Sequence, residues 1–195
     1  MNNEAERFGQ RKIDMALSAQ ERAWYEKQIV GLDAGRGLVT LAAGNYVVYS
    51  DRFRFGESRH RKGDPEELVR AVTVLLLCGE EYGYEPERLF LEETFTIGRG
   101  QTSGAQVDIV VYFAEEDGAE TAFAMIELKQ PSEYKPASDP FIRGQLFNTA
   151  KQLNPTLLTY GTVLPSGDAV FECITIDYTT YKDFDNWDSE GRPTT

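Results

Sequence analysis

A chain of 195 residues with 41% apolar side chains can bury one full core, which excludes general disorder. Its single histidine, His60, removes most histidine-dependent chemistry, including HExxH zinc sites and serine–histidine hydrolysis, unless that residue itself sits in the site. The net charge of −12 speaks against a free-standing nucleic-acid binder, since such proteins neutralise phosphates with Lys and Arg.

That charge is uneven. Residues 1–64 hold 11 basic and 9 acidic side chains, a balance of +2, so the remainder carries 9 minus 23, or −14. Contact with DNA is therefore expected from the N-terminal part or from a partner. Cys78 and Cys173 lie in apolar surroundings, and no leader-like or long apolar run is present, which predicts a cytoplasmic protein without a membrane segment. Any metal chemistry must use oxygen ligands, which suits Mg²⁺ or Mn²⁺ better than Zn²⁺.

Taken in order, residues 1–15 are polar and aperiodic and predict a mobile start. Ser18 and Glu21 have capping-box spacing ahead of Trp24, Ile29 and Val30, so a helix is expected over 18–30, ended within Gly31 to Gly37. Leu38 to Leu41 and Tyr46 to Tyr49 form a hairpin, with Asp51 to Phe55 as its extension. Arg52, Arg54, Arg59, His60, Arg61 and Lys62 are the only basic patch, and its alternation with aromatics suits either phosphate contact or a charged strand edge. Asp64-Pro65 opens a second helix, striped by Leu68, Val69, Val72, Leu75 and Leu76. On it Glu66 is expected to pair with Arg70 at the surface, while Glu67 borders the stripe.

Strands are expected over Leu89 to Ile97, Gln106 to Phe113 and Ala122 to Lys129. A glycine-rich turn (Gly98 to Gly104) and an acidic turn (Glu115 to Glu120) would join them into an antiparallel meander. Asp139-Pro140 starts a helix to about Leu153, striped by Ile142, Leu146, Ala150 and Leu153, with Gln145 beside the stripe. Leu157 to Leu164 and Val170 to Ile176 are two further strands. The acidic tail from Asp183 to Thr195 is expected to close no element and to act as a linker. The implied organisation is an N-terminal extension over 1–63, a main domain over 64–180 and a tail over 181–195.

One stretch stands out. Ala124 to Lys129 is an apolar strand ending in two opposite charges, and residues i and i+2 of a strand share a face. Glu127 and Lys129 therefore project together while Ile126 and Leu128 enter the opposite layer. Asp108 begins the neighbouring apolar strand. Two carboxylates on adjacent strands can hold divalent ions that assist attack of water on a phosphodiester, and a nearby lysine can orient that water or stabilise developing charge. The backbone carbonyl of Leu128 is a further candidate ligand.

Asp108 followed by Glu127-Leu128-Lys129 resembles the D-(x)n-E-x-K signature of the PD-(D/E)xK nuclease superfamily, and the order helix, three strands, helix, strand resembles its core. More narrowly, Glu67-Leu68-Val69-Arg70, Tyr82-Gly83-Tyr84, Val107-Asp108-Ile109-Val110, Ile126 to Lys129 and Gln145-Leu146 resemble the N-terminal endonuclease domain of type I restriction-enzyme motor subunits, over about residues 64–164. The resemblance implies an α/β (α+β) restriction-endonuclease-like core, a mixed central sheet flanked by helices, to which the N-terminal helix and hairpin are added. It further implies a Mg²⁺-dependent DNA endonuclease, with Mn²⁺ as substitute, working with motor, methyltransferase or specificity modules of a restriction complex.

Carried over residue by residue, the resemblance makes Asp108, Glu127 and the Leu128 carbonyl metal ligands, with Glu67 reaching the same metal. Lys129 would act on the nucleophilic water and Gln145 would help position DNA. Arg52, Arg54, Arg59, Arg61 and Lys62 are the candidate DNA contacts. Val107 stands where the superfamily often has proline, and Thr149 where a tyrosine often follows the glutamine by four residues. No Walker lysine motif or amino-methylation motif is present, so ATP is not bound by this segment. The alternatives are a catalytically silent scaffold that keeps the nuclease fold and a nuclease acting on RNA or single strands.

Overall fold

Ser18 accepts a hydrogen bond from the Glu21 N–H and donates its own N–H to the Glu21 carboxylate at 2.8 Å, closing the expected capping box at the start of α1 (Ala19–Asp33). The computed structural model describes residues 17–56, 60–95, 105–115, 118–136 and 141–195. The polar start, Arg59, the glycine-rich turn at 98–104 and the Asp139-Pro140 helix start lie outside them. Helix α1 runs through Gly31 and stops at Ala34, whose φ of 48° is left-handed. The stop comes from Asp33, not from a glycine: its carboxylate accepts the N–H groups of Gly37, Leu38 and Val39 and so fixes the turn into the next strand.

The hairpin forms as β1 (Val39–Ala42) and β2 (Tyr46–Tyr49), antiparallel. Its expected extension does not. β3 (Arg54–Phe55) leaves for the main sheet, and β4 (His60–Lys62) pairs with β2 instead, giving a three-stranded sheet β1-β2-β4. Helix α2 (Pro65–Leu77) is capped by Asp64, whose side chain accepts the Glu67 N–H at 2.9 Å. A short 3₁₀ turn (Pro86–Arg88) leads into β5 (Leu89–Phe95), followed by β6 (Ala105–Ala114) and β7 (Glu120–Leu128), the expected antiparallel meander.

Helix α3 opens with π-helical spacing over Ile142–Phe147 and continues as α-helix over Asn148–Leu153. It is the crossover that a parallel strand pair requires, and β8 (Leu157–Val163) duly lies parallel to β7. β9 (Phe171–Asp177) returns antiparallel. The result is a mixed six-stranded sheet in the order β3-β5-β6-β7-β8-β9, flanked by helices.

β7 shows how the sheet divides the core. Ala124, Ile126 and Leu128 join α1 and α2 in one apolar cluster, while Met125 joins α3 in the other. The first cluster contains Tyr25, Ile29, Val47 and Tyr49 as well as Leu68, Val72 and Leu75. Each such buried side chain contributes roughly 1.5–3 kcal/mol, so the boundary expected at 63/64 does not coincide with a break in the core.

The acidic tail also differs from expectation. Asp183 caps a six-residue helix, α4 (Phe184–Ser189), and the i,i+3 pair Phe184 and Trp187 buries against Phe147. The Thr195 N–H then donates to the Thr175 carbonyl at 3.0 Å. Among the described residues no helix is long and apolar enough to cross a membrane.

Gly161 of β8 faces Cys173 of β9, and a Cβ there would lie 2.5 Å from the Phe171 ring and 2.9 Å from the Cys173 Cβ. Gly161→Ala is expected to destabilise the protein by about 1–3 kcal/mol in urea unfolding. Gly144→Ala, helical with open space around it, shifts stability by less than about 1 kcal/mol, in the stabilising direction.

Candidate functional site

Asp108 has no ladder partner on either side. The β5–β6 register pairs Leu91 with Ile109 and then Glu93 with Val107, passing over Glu92 and Asp108, and the β6–β7 register ends at Ile109 with Ile126. The strands part at this rung because side chains replace the backbone bonds. The Leu128 N–H donates to Asp108 Oδ2 at 2.7 Å, and Arg70 Nη2 donates to Asp108 Oδ1 at 2.5 Å. Glu127 and Lys129 project to one face as their spacing predicts, and Lys129 Nζ donates to Glu127 Oε1 at 2.7 Å. The same ammonium lies 5.3 Å from the centroid of the Phe141 ring.

These three side chains are buried at 6–7% exposure, and they form the floor of a cleft of ≈ 1010 Å³, at the upper end for ligand pockets. Helix α2 supplies one wall with Glu66, Glu67 and Arg70. Helix α3 supplies the other with Gln145, Asn148, Thr149 and Lys151. Gln145 is exposed there, as the wide π-helical turn packs Ile142, Leu146 and Phe147 inward. Thr149, at the position where a tyrosine was of interest, is buried in the same wall.

Under the α2 wall lies a buried ionic network that the signature residues do not predict. Arg70 Nη1 donates to Glu67 Oε2 at 2.5 Å and to Glu92 Oε1 at 3.3 Å, while Nη2 holds Asp108. Arg61 donates to the same Glu92 oxygen, and its Nε lies 3.7 Å from Glu67. The Tyr49 hydroxyl donates to Glu67. Signals for Arg70 and Glu92 existed: one is a cation flanked by the apolar Val69 and Ala71, the other an acid following Leu91 in a buried strand.

Glu67 stands in the cleft wall with its two oxygens accepting from Tyr49 and Arg70, and one expectation about α2 is corrected. Glu66 is not a surface partner of Arg70, whose two Nη atoms are taken by Glu67, Glu92 and Asp108 while its buried Nε has no hydrogen-bond partner among the described residues; Glu66 is half-buried in the cleft. Within the basic patch Arg52 pairs with Glu85 and Glu87, Arg54 with Glu120, and Arg61 with Glu92. Lys62 is exposed, and Arg59 lies outside the described residues.

The electrostatics follow from burial and like charge. Glu127 is pushed well above the usual carboxylate range by burial and by the Asp108 charge, which outweigh the Lys129 ammonium. Glu66 is raised to about 7 by burial and then by Asp108. Burial works against the charge on Arg70, and the carboxylates of Asp108 and Glu67 more than offset it, so the guanidinium stays charged.

Burial and the neighbouring Asp108 charge, which raise the proton affinity of Glu127, are a strain that a hard divalent cation would relieve. Asp108, Glu127 and the Leu128 carbonyl offer the hard oxygen donors that a Mg²⁺ ion would take. Among the described residues no group of three His, Cys, Asp or Glu side chains is arranged to hold a metal. No family model and no curated protein matches this chain.

A carboxyl group whose pKa is raised on folding stabilises the native state at low pH and loses that contribution as pH rises. For Glu66 the window runs from its ordinary 4.5 to about 7. Glu66→Gln should therefore gain stability relative to the parent as urea unfolding is moved from pH 5 to pH 7.5; equal pH slopes for the two proteins would contradict the cleft placement of Glu66.

Proposed function

We propose that this chain is a Mg²⁺-dependent phosphodiesterase of the PD-(D/E)xK kind, a DNA endonuclease module of a restriction system. The observation that carries this reading is the convergence of Asp108, Glu127 and Lys129 at one splayed rung on the floor of a polar cleft. Their order and spacing match the signature that the sequence resembles.

In this reading Asp108, Glu127 and the Leu128 carbonyl hold the cation. When bound, the cation supplies charge neutralisation at the scissile phosphate and acidifies the attacking water. The Glu127 carboxylate would face the cation, and the Lys129 ammonium, 2.7 Å from Glu127 Oε1, would orient the attacking water or neutralise charge developing on the phosphate. Phe141 limits where that ammonium can swing. Gln145, exposed on the opposite wall, orients the nucleic-acid backbone with neutral donors. Since Arg52, Arg54 and Arg61 are ion-paired and the chain carries −12, capture of DNA falls to partner modules such as a motor, methyltransferase or specificity unit in the cytoplasm.

A second reading has one observation in its favour. Both oxygens of Asp108 already accept from protein donors, an arrangement that also suits a silent nuclease-fold scaffold.

Plasmid cleavage separates the two. With Mg²⁺ or Mn²⁺, and with partner modules of the parent system supplied, cleavage is expected to vanish in EDTA. Asp108→Ala and Lys129→Ala are expected to reduce it by at least about a hundredfold. Metal-independent cutting, or full activity in both variants, defeats the nuclease reading; no cutting by the intact assembly favours the scaffold.

A further inference from the structure

Glu92 adopts a φ of 55° in the middle of β5, a conformation rare for any residue but glycine. The deviation falls on the rung that the β5–β6 ladder passes over, the rung of Asp108. It is held from outside by Gly56, whose N–H donates to the Leu91 carbonyl at 3.0 Å and whose Cα lies so near that a Cβ would overlap the Glu92 carbonyl oxygen. The kink turns the Glu92 carboxylate inward, 3% exposed, onto Arg61 and onto Arg70 Nη1. With Nη1 fixed by Glu92 and Glu67, Arg70 has one direction left for Nη2, which is Asp108 Oδ1. Asp108 Oδ2 in turn receives the Leu128 N–H. An outlier that costs free energy and is braced by a neighbouring glycine marks a place where geometry is being enforced.

We propose that Glu92 is a positioning residue for Asp108, acting through Arg70. The kinked rung orients a guanidinium, and the guanidinium aims one carboxylate into the cleft, where Glu127 stands opposite. Glu92 lines the same cleft, with its carboxylate turned onto Arg61 and Arg70. The proposal rests on the phosphodiesterase reading for what the aimed carboxylate is for, while the clamp itself is observable without metal or substrate.

The readout is amide hydrogen exchange in the 195-residue protein. The Leu128 N–H reports the Asp108 orientation, and the next amide, Lys129 N–H, donates to the Gly161 carbonyl at 3.0 Å on the β8 side and serves as internal control. In Glu92→Gln the Leu128 amide is expected to lose protection at least tenfold more than the Lys129 amide, and Glu92→Asp to restore most of the difference. Gly56→Ala, which alters no charge but presses on the Glu92 carbonyl, should give the same selective loss. Mn²⁺ affinity of the cleft, read by electron paramagnetic resonance, should fall about tenfold in Glu92→Gln. Equal changes at Leu128 and Lys129 in both the Gln and Gly56 variants, the signature of general destabilisation, would overturn the clamp. A selective exchange effect in a protein that binds no Mn²⁺ would leave the clamp standing and remove the phosphodiesterase reading instead.

Discussion

A guanidinium at 6% exposure persists only if carboxylates surround it, and the ion pairs that Arg70 makes with Asp108, Glu67 and Glu92 are the constraint on which this site depends. Removing any one partner leaves charge uncompensated in the interior, a cost typically of 3–5 kcal/mol when a buried pair is broken. Each carboxylate comes from a different place: Glu67 from the helix that carries Arg70, Glu92 from β5, Asp108 from β6. One side chain thus fixes the approach of α2 to two strands. Tyr49 and Arg61 tie the small sheet to the same point.

The arrangement also separates two like charges. Asp108 is committed to Arg70 and the Leu128 N–H, and Glu127 to Lys129, so each carboxylate has its own counter-charge and neither cation bridges both. Burial and the nearby Asp108 charge raise the affinity of Glu127 for a proton.

Period-two patterning made β7 legible before any coordinates: Ile126 and Leu128 pack against α2, and Glu127 and Lys129 share the opposite face. Caps told the same kind of story, since Ser18, Asp64 and their i+3 partners sit where helix starts require. The misreadings arose where a side chain's long-range partner decides its role. Glu66 and Glu67 are adjacent and equally acidic, and only the position of Tyr49 and Arg70 shows which one the helix flank absorbs. The arginines of the basic patch looked available because Glu85, Glu87, Glu92 and Glu120 are 31 to 66 residues away along the chain. The helix inside the acidic tail escapes the sequence pattern because six residues are too few to show a period; burial of Trp187 against Phe147, not propensity, forms it.

The support of the site by Tyr49 and Arg61, which precede α2, has a consequence for how such a chain can diversify. A recombination that exchanged the segment ahead of α2 between related proteins would transmit Asp108, Glu127 and Lys129 unaltered. It would nonetheless replace the groups that hold Glu67 and Glu92, and with them the setting of Arg70. Inheriting the signature is thus separable from inheriting a working site, and the ancestry of the two need not be the same.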